Sequence, residues 1–223
     1  MILRCLAALL VALVFTTCLT PIVIYVAKKL KLRQTVLQYV DNHMSKSGTP
    51  TMGGMAFTVS MCVSSLIFFR GDKTLAVLIL VITLGYGVVG FLDDFIKVWF
   101  RQNKGLSAWQ KIVFQTAVAL IVAIFAYKSP FVGAEQYLPI TFRTFSLKTF
   151  AVPYYILVFL AASNSVNLID GLDGLAVGVT KNYLICYISI IAVAERLLGI
   201  NIANRTEAEN IAVLVCSAIG SLI

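Results

Sequence analysis

Residues 74–97 read TLAVLILVITLGYGVVGFLDDFIK, a long apolar run that ends in two adjacent aspartates and a lysine. A membrane-spanning helix needs about 20 mostly apolar residues, and this run supplies them. The rest of the chain has the same character, with 60% hydrophobic residues, 13% charged residues and a mean hydropathy of +0.92. Because so little charge is available to cover a soluble surface, the sequence predicts an integral membrane protein.

Seven hydrophobic segments predict an all-α, polytopic helical bundle with about seven transmembrane helices. They cover residues 4–27, 52–69, 74–92, 108–127, 150–166, 175–194 and 209–223. No internal repeat or soluble domain interrupts them, so we expect a single transmembrane helical domain over residues 1–223. The last segment has only about 15 residues and no helix-end signal, and we therefore expect a chain truncated at its C-terminus.

The polar loops predict the orientation in the membrane. Five basic residues and one acid lie between residues 28 and 46, so the positive-inside rule places this first loop in the cytoplasm. Counting spans onward brings the polar regions after the third and fifth segments to the same face. A short β-hairpin, predicted near residues 137–147 from alternating apolar positions, falls on the periplasmic face. The net charge of +8 is dispersed between the spans, which favours membrane lipids as partners and not nucleic acid.

A glycine- and threonine-rich segment precedes the second apolar run. Residues 46–54 read KSGTPTMGG. Glycines allow a ligand to approach the backbone closely, and a helix that begins near Thr51 would point its free N–H groups at an anion such as phosphate. The same residues would also suit a helix start followed by small residues that pack on a neighbouring helix.

Asp93 and Asp94 close the third apolar run. A carboxylate within a membrane costs roughly 2.5–3.5 kcal/mol on insertion scales, so chains retain it where it pairs, binds an ion or lines a wet cavity. Lys97 follows three and four residues later, within helical reach of both acids. The group suits a divalent metal or a general base, although a local ion pair at a helix end is the simpler interpretation. Lys111 and Gln115 share one helix face in the next run, where Lys111 could bind an anion or extend towards the head groups.

The third segment, residues 164–176, reads NSVNLIDGLDGLA and is the most specific of the three. Asn167, Asp170 and Asp173 recur at three-residue spacing, so a helical turn would align them on one face. An amide and two carboxylates suit a sugar, a uracil ring or a metal-bound pyrophosphate. The segment lacks the oxygen pattern and terminal glutamate of a calcium-binding loop.

The chain resembles the polyprenyl-phosphate sugar-1-phosphate transferases in all three segments. The resemblance rests on Gly48 to Gly54, on Phe91 to Asp94 with Lys97, and on Asn167 to Ala176, in the same order and at similar separations. The Thr-Met-Gly-Gly sequence of residues 51–54 favours the branch that transfers phospho-N-acetylmuramoyl-pentapeptide over the N-acetylglucosamine-1-phosphate branch. Ile169 stands where the family often has threonine, a change that we expect to weaken one contact at most.

This resemblance implies an activity and a set of site residues. The reaction would move phospho-N-acetylmuramoyl-pentapeptide from its UDP carrier to undecaprenyl phosphate with Mg²⁺, giving lipid I and UMP at the cytoplasmic face of the bacterial inner membrane. It also implies a homodimer. The catalytic residues would be Asp93, Asp94, Asp170 and Asp173, and the substrate-binding residues Lys46, Thr49, Thr51, Lys97, Lys111, Asn167, Asp170, Gly171, Leu172 and Asp173.

The family also carries a further aspartate, central to Mg²⁺ binding, and a histidine-rich loop, both at positions beyond residue 223. Asp93 and Asp94 would therefore contribute only part of a metal site, and we expect little or no activity from the 223-residue chain alone. Three other interpretations stay open at this point. The chain could use UDP-N-acetylglucosamine, could serve only in membrane assembly, or could be a cation transporter, although a transporter would place its acids near the middle of the bilayer on broken helices.

Overall fold

The computed structural model describes residues 1–30, 52–100, 105–129, 132–138, 143–172, 174–197 and 205–223. These residues form seven α-helices, one two-stranded antiparallel sheet and one short 3-10 helix, Lys148–Phe150. The helices are α1 (Ile2–Lys29), α2 (Gly54–Phe68), α3 (Thr74–Trp99), α4 (Ala108–Lys128), α5 (Ala151–Ile169), α6 (Leu175–Leu197) and α7 (Arg205–Ser221), and the strands are β1 (Glu135–Leu138) and β2 (Arg143–Ser146). Each of the seven apolar segments therefore coincides with one helix.

The prediction of an all-α polytopic membrane protein is confirmed. Five of the described stretches are long and apolar enough to cross a membrane: Ile2–Lys29, Thr74–Trp99, Ala108–Lys128, Lys148–Ile169 and Leu175–Val193. Helix α2 is also apolar but has only 15 residues. The count of seven spans therefore stays a prediction. Large apolar side chains cover the outside of the long helices, as Leu3, Ile121 and Ile190 illustrate, and this is the surface that lipid requires.

The described residues divide into two compact units. The first contains Met1–Gly105 together with Val177–Ile223, and the second contains Leu106–Ala176. The first unit thus joins the two ends of the chain, while the second is a continuous stretch. The prediction of one domain over residues 1–223 stays a prediction.

Helix α7 lies at the centre of the first unit, where it packs against α1, α2 and α3. Eleven of its 17 residues are buried, whereas α1 buries four of 28. The fully buried residues are mostly small or medium-sized, among them Ala212, Val213 and Ser217. Small side chains allow helix backbones to approach closely, which is how helices gain packing energy in a membrane.

A buried amide fixes the start of α7. Asn210 donates to the carbonyl oxygens of Arg70 and Asp72, at 2.7 Å each, and its own oxygen accepts from the Arg4 guanidinium at 2.9 Å and the Arg70 N–H at 3.1 Å. All four hydrogen-bonding positions of the amide are used. The contacts join the first turn of α1, the connection between α2 and α3, and α7. Arg4 also forms an ion pair with Glu209 at 3.0 Å.

The opposite part of α7 is held by small residues. Ser217 donates to the Ser64 hydroxyl at 3.2 Å, and Ser64 donates to the Ala8 carbonyl at 2.6 Å. Gly220 lies against α1 so closely that an added Cβ would be 3.0 Å from the Leu9 Cα and 2.9 Å from its carbonyl carbon. Three helices therefore meet along a line where larger side chains would not fit.

The second unit consists of α4, α5 and the β-hairpin. In the hairpin, Glu135 pairs with Ser146 and Leu138 with Arg143. The side-chain amide of Gln136 donates to the Tyr155 hydroxyl at 2.7 Å, and Tyr155 donates to the Gly133 carbonyl at 2.8 Å. These bonds tie the hairpin to α5. An antiparallel pair thus lies near the residues where alternation predicted one, and its periplasmic location stays a prediction.

Gly220→Val should destabilise the first unit, because the added side chain would force α1 and α7 apart. We expect a loss of about 1–3 kcal/mol, the usual cost of overpacking a tight contact, and a lower midpoint of thermal unfolding in detergent. Gly87→Val is the matched control, since a Cβ at Gly87 meets nothing within 4 Å. Equal midpoints for the two variants would contradict the close packing of α7 on α1.

Candidate active site

The first candidate segment lies largely outside the described residues. Lys46, Thr49 and Thr51 fall there, and the description resumes at Met52. Helix α2 begins at Gly54 with Gly53 as its N-cap, so the predicted helix start near Thr51 is wrong by about one turn. Met52 adopts a positive φ of 69°, which rules out helical conformation at that residue.

Asp93, Asp94 and Lys97 form a three-residue ion cluster in the last turns of α3. The Lys97 Nζ lies 2.7 Å from Asp93 Oδ2 and 3.0 Å from Asp94 Oδ1. The helical spacing of three and four residues brings the ammonium to both acids, as the sequence predicted. Lys97 thus carries one positive charge against two carboxylates, and the three side chains alone have a formal charge of −1.

The two aspartates differ in exposure. The Asp93 side chain is 13% exposed, whereas the Asp94 side chain is 44% exposed. Asp94 can therefore reach a ligand without any change in the protein. Phe91, Phe95 and Trp99 stack along α3, with ring centroids 5.9 and 5.6 Å apart, and give the same helix end an apolar, exposed face. An apolar chain would suit the aromatic face, whereas an anion could contact the cluster only through Lys97 or a bridging cation.

A second polar cluster lies between α4 and α5. A capping box between Ser107 and Gln110 starts α4 and so places Lys111 in its first turn. The Lys111 Nζ donates to Asn167 Oδ1 at 3.2 Å. These two residues were predicted to bind substrate, and the structure brings them into contact.

One turn further along α4, Gln115 is almost fully buried against α5. It donates to the Ser163 hydroxyl at 3.2 Å, and its oxygen accepts from the Asn164 amide at 3.0 Å. The sequence pointed to Gln115 through its spacing from Lys111 but missed Ser163 and the role of Asn164. The signal was available, because Ser163, Asn164 and Asn167 recur at the three- and four-residue spacing of one helix face.

The turn between α5 and α6 carries Asp170, Gly171 and Leu172, all exposed. Helix α5 ends at Ile169, and Asp170 is its C-cap with ψ 41°. The predicted helical alignment of Asn167 and Asp170 is therefore wrong, because the helix stops before Asp170. Asp173 lies outside the described residues. The role of this segment in binding stays a prediction.

Gly171 and Gly174 serve this turn differently. Gly174 has φ 78°, a left-handed conformation that favours glycine. A Cβ on Gly171 would meet nothing within 4 Å, and its φ is not left-handed. The backbone conformation therefore favours glycine at Gly174, whereas none of the described residues requires it at Gly171.

Among the described residues, no group of three or more histidine, cysteine, aspartate or glutamate side chains is arranged to hold a metal ion. Asp93 and Asp94 are a pair of carboxylates on one helix end. Such a pair suits Mg²⁺, which proteins often bind through one or two carboxylates plus the phosphates of the substrate.

The chain is similar to known proteins over most of its length. The sequence profile of glycosyl transferase family 4 matches residues 75–223, a stretch that contains the α3 cluster, Lys111 and the α5–α6 turn. The chain is 42% identical over 181 residues to a phospho-N-acetylmuramoyl-pentapeptide-transferase of Thermoanaerobacter sp. (strain X514), covering 81% of this chain and 56% of that relative.

Relatives of the same name occur in Desulfitobacterium hafniense (37% identity over 211 residues, 94% of this chain and 63% of the relative) and Clostridioides difficile (35% over 215 residues, 96% and 63%). The chain thus spans between 56% and 63% of the length of these three curated relatives. The matches confirm the resemblance that the three segments indicated.

Gly174→Ala should destabilise the α5–α6 turn, because a left-handed conformation costs a residue with a Cβ about 1–2 kcal/mol. The midpoint of thermal unfolding in detergent checks this. Gly171→Ala is the control and should leave the midpoint unchanged, since its Cβ would point into open space. A larger loss for Gly171→Ala than for Gly174→Ala would contradict the described conformation of the turn.

Proposed function

Because this chain belongs to glycosyl transferase family 4, we propose that it takes part in the transfer of phospho-N-acetylmuramoyl-pentapeptide from a UDP carrier to undecaprenyl phosphate in peptidoglycan synthesis. The printed names of the relatives support this donor. In the reaction, an oxygen of the lipid phosphate becomes bonded to the β-phosphorus of the UDP-sugar. The bond from that phosphorus to the UMP oxygen breaks, so lipid I and UMP are the products.

The ion cluster of α3 is the observation that carries the proposal. Charge is costly within the apolar part of a membrane, and two carboxylates contact the Lys97 ammonium where α3 ends. Here a second carboxylate is kept, and Asp94 is the more exposed of the two. A net negative pair beside an ammonium can orient a phosphate, accept a proton from it, or bind a divalent cation that accompanies it.

We assign the binding roles by this chemistry. Asp93 and Asp94 orient or deprotonate the lipid phosphate. Asp170 and Asp173 hold the nucleotide-sugar together with Asn167, while Gly171 and Leu172 line its path. Basic and hydroxyl groups compensate the charge that spreads over phosphate oxygens in phosphoryl transfer, and these groups are Lys46, Thr49, Thr51, Lys97 and Lys111.

The cofactor of the proposed reaction is Mg²⁺. Asp93 and Asp94 would contribute carboxylate ligands, with substrate phosphates completing the coordination. The ion supplies positive charge that stabilises the oxygens of the transferring phosphoryl group. Lys97 contacts one oxygen of each acid, so the ammonium and the ion would both interact with this pair.

We further propose that the protein is a multi-pass protein of the bacterial inner membrane, with its site on the cytoplasmic face and a homodimer as its assembly. The basic first loop supports the orientation through the positive-inside rule. The polyprenyl substrate supports the membrane location, because its apolar chain stays in the lipid while its phosphate reaches the helix ends.

Donor choice tests the proposal. The protein, expressed from its complete reading frame and purified in detergent, should release UMP and form a lipid-linked product from UDP-N-acetylmuramoyl-pentapeptide, undecaprenyl phosphate and Mg²⁺. We expect UDP-N-acetylglucosamine to give no product and the 223-residue chain alone to give little or none. Turnover of UDP-N-acetylglucosamine only would favour the sister activity. Turnover of neither donor would reject the transferase, and cation flux in liposomes would then be measured.

Asp94→Asn tests the α3 cluster directly. Removing a general base costs roughly 100-fold or more in kcat, and we expect that loss together with a higher Mg²⁺ concentration for half-maximal rate, because the amide is a weaker ligand than the carboxylate. Glu135→Gln is the matched control, because Glu135 is an exposed acid of the β-hairpin. An Asp94→Asn variant with unchanged kcat would identify the cluster as a helix-end ion pair without catalytic function.

A further inference from the structure

We infer that Gly105 is a positioning residue for Asp93. Its lack of a side chain lets the backbone at Gly105 lie directly against the Asp93 carboxylate. The carboxylate is thereby enclosed between Gly105 and Lys97, while Asp94 stays accessible to a ligand. The consequence for catalysis rests on the transferase function proposed above, whereas the enclosure itself can be measured without any activity.

The geometry of Gly105 is the first support. A Cβ built on Gly105 would lie 2.8 Å from Asp93 Cγ and 2.8 Å from the Asp93 carbonyl oxygen, with Asp93 Oδ1 nearer still. Real Cβ atoms essentially never come within 3.0 Å of such atoms. A carboxylate alone could rotate away. The carbonyl oxygen cannot, because it belongs to the hydrogen-bonded ladder of α3. Any residue other than glycine would therefore displace the segment or distort the helix end.

The close contact with Asp93, and not the backbone conformation, is the reason why residue 105 has to be glycine. Gly105 has no left-handed φ, in contrast to Gly174 at φ 78°. Alanine could adopt the same backbone angles without strain. What alanine could not do is keep the segment against Asp93.

The unequal exposure of the two aspartates is the second support. Asp93 is 13% exposed and forms the shorter ion pair, 2.7 Å, whereas Asp94 is 44% exposed and lies 3.0 Å from the same ammonium. Taking a carboxylate out of water is costly unless a partner compensates it, and Lys97 provides that partner. Enclosure by Gly105 thus fixes Asp93 against Lys97. With Lys97 oriented in this way, Asp94 is the acid whose oxygens can meet a phosphate or a cation.

Carboxylate labelling tests the enclosure. The detergent-purified protein would be treated with a water-soluble carbodiimide and glycine ethyl ester, and tandem mass spectrometry would assign the label to Asp93 or Asp94. In the unchanged protein we expect several-fold more label on Asp94, in line with the exposed fractions. Equal labelling would overturn the inference, and this comparison requires no variant to fold.

Gly105→Ala should raise the labelling of Asp93 towards that of Asp94. Gly87→Ala is the matched control, because it also adds one methyl group to a glycine of the first unit but meets nothing within 4 Å. Labelling of Asp93 that is the same in Gly105→Ala and Gly87→Ala would overturn the inference. Since labelling needs no turnover, this result stands even if the proposed transferase function fails.

A double-mutant cycle tests the link to catalysis. We expect Gly105→Ala to lower kcat about tenfold or more with little change in KM for the UDP-sugar, as small misplacements of catalytic groups do. In an Asp93→Asn background the same substitution should have almost no further effect, because its target carboxylate is already gone. If Gly105→Ala lowers kcat by the same factor with and without Asp93→Asn, then Gly105 acts on some other group. That result would overturn its role as a positioning residue for Asp93.

Discussion

Every charged or strongly polar group in this chain has to be compensated within the protein or lie at a helix end, because the apolar surroundings of the spans provide no water. The cluster of Asp93, Asp94 and Lys97 obeys this constraint at the end of α3. Its spacing makes the compensation local, since one ammonium reaches both acids through a single helical turn. The cluster can therefore form as soon as α3 forms, independently of the packing of other helices.

The same constraint determines how the helices associate. Asn210 uses all four of its hydrogen-bonding positions on groups from α1 and from the connection between α2 and α3, so the start of α7 has one well-defined place. Gln115 likewise links α4 to α5 through its hydrogen bonds to Ser163 and Asn164. Buried amides of this kind determine which helix faces pack together. Apolar side chains give little preference for one face over another, because the surrounding lipid is equally apolar.

Features that depend on local sequence were predictable, and features that depend on tertiary packing were not. Seven apolar segments predicted seven helices, and the spacing of Lys97 predicted its two ion pairs, because both follow from helical periodicity. The central position of α7 was not predicted, because the sequence of one helix does not show which other helices pack around it. The sequence also did not predict that α5 ends at Ile169 or that Gly105 contacts Asp93. A glycine in a sequence does not show whether it serves a turn, a close contact or a ligand.

Polar residues of this chain fall into two groups according to how fully their hydrogen-bonding capacity is used within the protein. Asn210 and Gln115 are buried, and both form hydrogen bonds to neighbouring helices or connections. Asp94 and Asp170 are more exposed and lie at the ends of α3 and α5, where helix geometry leaves them open to a solute. Asp94 contacts only Lys97 among the ion pairs described here and keeps 44% of its side chain exposed, so it is available to a ligand at the end of α3. Asn210 and Gln115, by contrast, hold helices together and have little exposed surface.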